Sequence, residues 1–290
     1  LLGQEVVVAA SRTPEKILES PVSIERVGAT AVRESAAPSF YDALVNLKGV
    51  ESSTQSLTFR SLNTRGFNAN GNVRFNQFID GMDNQAPGLN FSVGNIVGIS
   101  DLDIESAELL PGASSALYGA GGTNGTLIMN SKNPFTYPGL SFSYKLGANH
   151  VDNYERNASL FKDMSLRFAK AWNNKFALKT NVSYLEANDW QAQNYSDLNQ
   201  GNGTRATDPN YDGVNVYGDE INTKYVGLGL PGPGSPLNGQ TVSRTGYNEV
   251  DLLDYGTKSF KTSNSLHYKF GRGFEAIAQA NWGTGTSVYT

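Results

Sequence analysis

Cysteine is absent from the 290 residues, so neither a disulfide framework nor a thiolate site is available. Histidine occurs only at His150 and His267, which leaves no histidine metal centre. Charge is scarce as well. Asp, Glu, Lys and Arg make up 17% of the chain, against about 25% in an average soluble domain. The balance is slightly acidic, at −4, so the basic footprint of a nucleic-acid binder is missing and no nucleic-acid partner is expected. No run approaches the roughly 18–20 apolar residues of a membrane-crossing helix. That excludes helical membrane proteins but not transmembrane barrels, whose strands disappear in such an average. No signal-peptide pattern precedes "LLGQEVVVAA", and the opening reads as an internal point of a longer chain.

Asn, Ser, Thr and 31 glycines fill the place of the missing charge, a profile suited to β-structure with long polar loops. The pattern divides near residue 138. Before it, a mixed α/β unit is predicted. "EVVVAA" (5–10) is a β-branched run, and "SPVSIERV" (20–27), "LTFRSLNTRGF" (57–67), "FNQFIDGM" (75–82) and "TLIMNSK" (126–132) read as strands. Ser39 stands before Phe40, Ala43, Leu44 and Leu47, whose spacing predicts a capped amphipathic helix ending near Gly49. After Pro138 the period becomes two. Leu140, Phe142, Tyr144, Leu146 and Ala148 share one face of "GLSFSYKLGAN" (139–149), and Ser141, Ser143, Lys145, Gly147 and Asn149 the other. "MSLRFAKAW" (164–172, with Lys170 intruding on the apolar face), "FALKTNVSY" (176–184), "NSLHYKF" (264–270) and "FEAIAQANW" (274–282) repeat the pattern.

Five strands of this length, with tight turns at Asn173-Asn174 and Gly271–Gly273 but long links at about 150–162 and 188–255, fit the wall of a transmembrane barrel. A soluble antiparallel sandwich also alternates; a loop as long as 188–255 counts against it. Five strands do not close a bacterial barrel. The expectation is therefore a membrane β-barrel, represented by the N-terminal part of a larger antiparallel transmembrane barrel, with a mixed α/β domain before it.

"EVVVAASRTPEKILESPVSI", "DALVNLKGV", "NTRGFN", "FIDGM" and "DIESAELLPGASSALYGAGGTNGTLIMNSKNP", in this order and followed by the barrel pattern, resemble the TonB-dependent outer-membrane receptors. The likeness leans toward their Bacteroidetes, SusC-like group. It implies a TonB-box-like segment over 1–10, a plug domain over 11–137 and the first barrel strands over 138–290. The function it implies is active import of a ligand across the bacterial outer membrane, with the plug gating the lumen and energy supplied by TonB of the TonB-ExbB-ExbD complex. Glu5, Val6, Val7, Val8, Ala9 and Ala10 suit the TonB contact, because an extended β-branched segment can add to a sheet edge. A scaffold or signalling role beside a surface lipoprotein, without transport, is the alternative, and a soluble β-rich binding module is the third reading.

Arg65, Arg74 and Tyr118 are expected to contact the barrel wall from the plug, and the glycines of 112–125 to let the backbone pass close to that wall. Many relatives have Arg-Gly-Pro where this chain has Leu110-Pro111-Gly112, so Arg60, Arg65 or Arg74 is expected to replace that arginine's contact. Asn68, Asn70, Asn72, Asn84, Gln85, Asn90 and Phe91 lie on turns that face outward by analogy, and suit a neutral small molecule, glycan or peptide. "DPNYDGVNVYGD" places Asp208, Asn210, Asp212 and Asp219 at calcium-loop spacing; Asp, Asn and Gly also simply make turns. The glycine cluster is not a phosphate loop, since no Gly-Lys-Ser/Thr follows it. No catalytic constellation is visible, and the chain is not expected to be an enzyme. Asp80, Asp83, Asp101 and Asp103 read as scattered turn carboxylates. Trp172, Trp190 and Trp282 read as aromatics of the membrane interface, with lipid as their neighbour.

Overall fold

The computed structural model describes residues 6–11, 13–35, 37–66, 70–86, 88–92, 94, 96, 98–150, 157–190, 216–217, 222–224, 241–243, 247–248, 253–271 and 273–287. The chain forms two units. One comprises residues 1–149, 159–189 and 256–290; the other comprises 150–158 and 190–255.

The first unit begins with two short strands, β1 (Val6–Val7) and β2 (Glu15–Lys16), paired antiparallel. They are followed by β3 (Glu25–Gly28), α1 (Ala29–Glu34) and α2 (Phe40–Ala43), which continues as a 3₁₀ turn over Leu44–Asn46. Ser39 and Asp42 cap α2 reciprocally, each side chain taking the other residue's backbone N–H. The cap matches the expected start, but the α-helix is one turn long. Then come β4 (Val50–Thr54), β5 (Arg60–Thr64), β6 (Phe75–Ile79), β7 (Met82–Asp83), β8 (Ile104–Pro111), α3 (Ser115–Tyr118) and β9 (Gly125–Ser131). Strands β3-β8-β9-β6-β7 make a mixed sheet in which only β6 and β9 run parallel, while β4 and β5 form a separate hairpin. Asp80 and Gly81, both at positive φ, make the tight turn between β6 and β7. Phe40, Tyr41, Leu44, Leu62, Phe75, Ile79, Leu109, Leu127 and Met129 fill the main core.

Five long strands follow: β10 (Gly139–Asn149), β11 (Ser159–Trp172), β12 (Phe176–Asn188), then, after the second unit, β17 (Gly256–Gly271) and β18 (Phe274–Thr286). All neighbours are antiparallel, in chain order. These are the five strands expected from the alternation, and β11, β12, β17 and β18 extend further than expected. Asn173 and Asn174, both at φ +49°, make the two-residue turn after β11. The short turns lie at one rim, and the long connections leave from the other.

The two faces of this long sheet are inverted relative to a soluble sandwich. Leu140 is 69% exposed and Phe142 65%, while Arg167 and Lys179 on the opposite face are buried. In water, leaving such an apolar band uncovered is unfavourable by about 25 cal/mol per Å²; in hydrocarbon it is the expected exterior of a barrel wall. The soluble-module reading is thereby overturned. Trp172, Phe176, Tyr268 and Phe270 gather at the short-turn rim of the apolar face. Lys170, the intruder, reaches back over the Trp172 ring at 5.4 Å, so its charge leaves the apolar band. Toward the other end the band is crossed by an ion-paired row, Lys162–Glu186–Lys258.

In the second unit, β13 (Val216–Tyr217) pairs with β16 (Tyr247–Asn248), and β14 (Asn222–Lys224) with β15 (Thr241–Ser243), both antiparallel. Asp208, Asn210, Asp212 and Asp219, the calcium-loop residues, lie outside the described residues.

Candidate functional site

The polar face of the long sheet carries Lys145, Arg167, Lys179 and Gln279, and each meets an oxygen of the N-terminal domain. Arg167 Nε lies 2.8 Å from Asp103 Oδ1, and Lys179 Nζ lies 2.9 Å from Asp103 Oδ2. All three side chains are at most 3% exposed. One carboxylate thus holds two buried cations on adjacent strands. Lys179 also donates to Ser131 Oγ (2.6 Å) and to the Lys132 carbonyl, and Arg167 donates to the Tyr137 carbonyl at 2.9 Å. Ser131 in turn donates to Asp80 from both its backbone (2.8 Å) and its hydroxyl (2.6 Å), and Gln279 donates to the same carboxylate at 3.0 Å. The result is one polar network from β11 through β12 to β18. Nearer the other rim, Lys145 Nζ binds Asp101 Oδ2 at 2.6 Å and the Pro38 carbonyl at 2.7 Å, while Asp101 also accepts from Phe40 N at the start of α2.

These carboxylates sit on turns, which is why they read as scattered along the chain. Residues 101–103 form the turn entering β8, and Asp80 begins the turn after β6; folding aims all of them at one sheet. The pairs run opposite to expectation. Among the described residues, the cations come from the long sheet and the anions from the N-terminal domain. Arg65 is exposed, with its guanidinium over Gly112; Arg74 is exposed; Arg60 pairs with Asp42 at 2.7 Å inside its own domain. Tyr118 donates to the Ala9 carbonyl at 2.6 Å and packs on Phe78. None of the four takes the expected wall contact among the described residues. The short connection after β9 is drawn tightly against the sheet. Lys132 is held below the ordinary lysine range by desolvation first and by the nearby Arg167 cation second. Tyr137 is raised by the neighbouring Glu105 carboxylate and then by partial burial.

The glycine-rich hairpin packs inward rather than against the long sheet. A Cβ on Gly122 would lie 2.9 Å from Ser114 Oγ and 3.0 Å from Thr126 Oγ1, and Gly125, at φ +137°, faces the Phe75 ring. Ser114 donates its N–H to the Gly122 carbonyl at 2.7 Å and shares a 2.6 Å bond with Thr126. Beside it Asn124 ties three segments together. Its Oδ1 accepts from Thr64 N and Asn72 Nδ2, and its Nδ2 donates to the Thr64 carbonyl. Asn72 is consumed by this network and buried, so it is not available to a ligand. Asn70 bonds Ser53 and Gln55; Gln85 donates inward to Asn76; Asn90 is exposed; Phe91 stacks on Phe59 at 6.0 Å. Asn84 is half-buried, and Asn68 lies outside the described residues. The loop bearing Phe59 reaches the long-connection rim, where Leu57 N donates to Asp189 and Ser56 meets Ser287.

At the chain's start, Val7, Ala9 and Ala10 are buried with Ile24 and Leu110 in a second small core. Val6 is exposed, and Glu5 lies outside the described residues.

A domain tied by buried ion pairs to the polar side of a sheet whose other side is apolar has the geometry of a stopper. Residues 16–126 match the family model of the TonB-dependent receptor plug domain. The N-terminal domain is a TonB-dependent receptor plug, joined to a barrel-type wall. Over 143 residues the chain is 32% identical to the ferrichrome outer membrane transporter/phage receptor of Escherichia coli (strain K12), which covers 49% of this chain and 18% of that protein. Among solved structures, the pyoverdine outer membrane receptor FpvA of Pseudomonas aeruginosa PAO1 aligns over 98% of this chain and 30% of its own, with a TM-score of 0.55 at 13% identity. The siderophore receptor PirA of Acinetobacter baumannii aligns over 92% and 32%, with a TM-score of 0.54 at 14% identity. These structures share the fold of plug and wall. The chain spans less than a fifth of the length of the curated relative and about a third of those structures.

Proposed function

We infer that this chain belongs to an outer-membrane receptor in which TonB-driven movement of the plug admits a ligand. The observation that carries the reading is the seam itself: a plug held shut against the wall by the Asp103–Arg167–Lys179 triad, the Asp80–Ser131–Gln279 link and the Asp101–Lys145 pair. Such a seam blocks the lumen at rest, and opening it requires work. An outer membrane has no nucleotide supply to provide that work, so force from an inner-membrane partner suits the task. Val6, Val7, Val8, Ala9 and Ala10, with Glu5 before them, are the handle for TonB by strand addition. No catalytic role enters this reading.

Asn70, Asn84, Gln85, Asn90 and Phe91 offer amide groups beside an aromatic face, and we assign them to a neutral polar ligand, a glycan or peptide. A siderophore is the second reading; the chain's similarity to a ferrichrome transporter and to a siderophore receptor favours it. Calcium at Asp208, Asn210, Asp212 and Asp219 belongs to this proposal on spacing alone. So does the narrower SusC-like placement with a surface lipoprotein partner, which rests on the sequence of residues 5–10 and 105–130.

The test is ligand accumulation by cells carrying the full-length receptor. Uptake should vanish when residues 6–10 are deleted or the proton gradient is collapsed, while surface binding persists. Binding without any energised uptake would favour the scaffold role instead.

A further inference from the structure

The two ionic ties of the seam differ in what the wall keeps when the plug withdraws. Lys145 on β10 stands directly opposite Asp163 on β11, and both face the plug. Cβ atoms of such cross-strand pairs are about 4.5–5.5 Å apart. At rest the Lys145 ammonium is taken by the plug, by Asp101 Oδ2 at 2.6 Å and the Pro38 carbonyl at 2.7 Å. Lys261 on β17 feels both Asp101 and Asp163. A cavity of about 20 Å³ lies among them, lined by the two carboxylates, Lys261 and the hydroxyls of Ser100, Ser165, Ser183 and Ser259. That is room for about one water molecule among polar groups. The Asp103 tie has no such reserve. Arg167 lies opposite Ser141 and Asn181, and Lys179 opposite Ala169 and Ser265. Among the described residues no wall carboxylate stands beside either cation, and Asp103 is the anion they share. Six residues of strand, about 20 Å, separate the Lys145 row from the Lys179 row.

We propose that Asp163 is a positioning residue for opening: it takes over Lys145 as Asp101 withdraws, so the seam parts at the Asp101 end while the Asp103 triad still holds. This rests on the reading of the seam as what keeps the plug shut. Exchanging one carboxylate for another keeps Lys145 paired throughout, whereas withdrawing Asp103 strands two cations. The flexible stem and rotatable donors of a lysine suit such a handover better than the planar fork of an arginine. The hydroxyl-lined cavity keeps both carboxylates among polar groups while it happens. Asp163 also weakens the plug's hold at rest. With it, the wall patch of Lys145 and Lys261 carries one uncompensated positive charge toward Asp101; without it, both charges pull on Asp101. The departure of Asp101 can be followed directly, because its other oxygen accepts from Phe40 N at 3.2 Å at the start of α2.

The test is amide hydrogen exchange in the full-length receptor in detergent, without TonB or ligand. The Phe40 amide reports the Asp101 tie, and the Ser131 amide, held by Asp80 at 2.8 Å, reports the network around Asp103. After correction for intrinsic rates, Phe40 should exchange faster than Ser131 in wild type. Asp163→Asn should slow Phe40 about tenfold, the worth of about one charged hydrogen bond no longer gained on opening, and should leave Ser131 unchanged. Asp163→Glu should restore the wild-type rate at Phe40. A merely structural role gives the opposite sign, because a damaged wall loosens the plug and speeds both amides. Unchanged or faster Phe40 exchange in Asp163→Asn overturns the proposal, as does Ser131 exchanging before Phe40 in wild type. Either result leaves the import reading untouched, since that reading stands or falls on energised uptake.

Discussion

Replacing Asp103 by Asn tests the closed seam most directly. Its carboxylate sits 2.8 Å from one guanidinium nitrogen and 2.9 Å from an ammonium, with all three groups nearly dry. At an effective dielectric of about 20, a unit pair at such contact gains about 6 kcal/mol before desolvation is subtracted. Breaking a buried pair typically costs about 3–5 kcal/mol, because the surviving charge is stranded. Asp103→Asn strands two cations at once, so about 5 kcal/mol is expected. Arg167→Met or Lys179→Met leaves the carboxylate one partner and should cost about 1.5–3 kcal/mol, the worth of one charged hydrogen bond. The assay is the urea concentration at which the full-length receptor begins to conduct in a planar bilayer, reporting plug release from an intact wall. With a urea dependence of about 2 kcal/mol per M for a domain of this size, the midpoint should fall by about 2 M or more for Asp103→Asn and about 1 M for either cation variant. Removing all three charges together should recover much of the loss, since nothing then remains unpaired. An Asp103→Asn midpoint no lower than that of Lys179→Met would refute the reasoning, because it would mean the second cation is already solvated.

Arg65→Ala should leave that midpoint unchanged, since the guanidinium lies over Gly112 rather than on the wall; a fall comparable to Asp103→Asn would contradict the placement. Asn124→Ala should destabilise the plug by about 2–4 kcal/mol, because Thr64 and Asn72 lose buried partners, and this can be read as an earlier urea-induced exposure of the plug core. Burial raises the Tyr41 hydroxyl to about 12, against 10 in the unfolded chain. The associated stability is fully present below pH 10 and is lost as pH rises toward 12, by up to about 3 kcal/mol. A plug-release midpoint that falls between pH 10 and 11.5, and a Tyr41→Phe variant with a flatter profile, would bear this out; parallel profiles would not.

Much of this architecture is legible in the sequence, and the reason is local. Period-two alternation is set by backbone geometry, so the apolar rows of Leu140, Phe142 and Leu146 announced a two-faced strand, and the unequal turns on either side announced a rim. Asn173-Asn174 and the Asp80-Gly81 pair specify their turns through left-handed backbone preference. Ser39, standing before the apolar spacing of Phe40, Ala43, Leu44 and Leu47, announced a helix start. The long sheet's inversion, apolar outside and charged inside, could not be read from alternation, because a sandwich and a barrel wall alternate alike. Only the exposure of Leu140 and Phe142 decided it.

The seam belonged wholly to tertiary structure. Asp80, Asp101 and Asp103 lie on two separate turns, and their partners Lys145, Arg167, Lys179 and Gln279 lie on four different strands. Turn carboxylates are common, and sequence spacing carries no information about what faces them across a lumen. Arg65 and Arg74 stand beside glycine- and asparagine-rich turns, where sequence alone does not separate a solvated arginine from a buried one. Burial picks a different set, since a charge matters most where water is excluded. Sequence alone therefore determined the elements, the turns and the two faces of the wall strands, which depend on each residue and its near neighbours. The fold decided which polar groups lose their water together, and that joint desolvation, not any single residue's identity, made the seam.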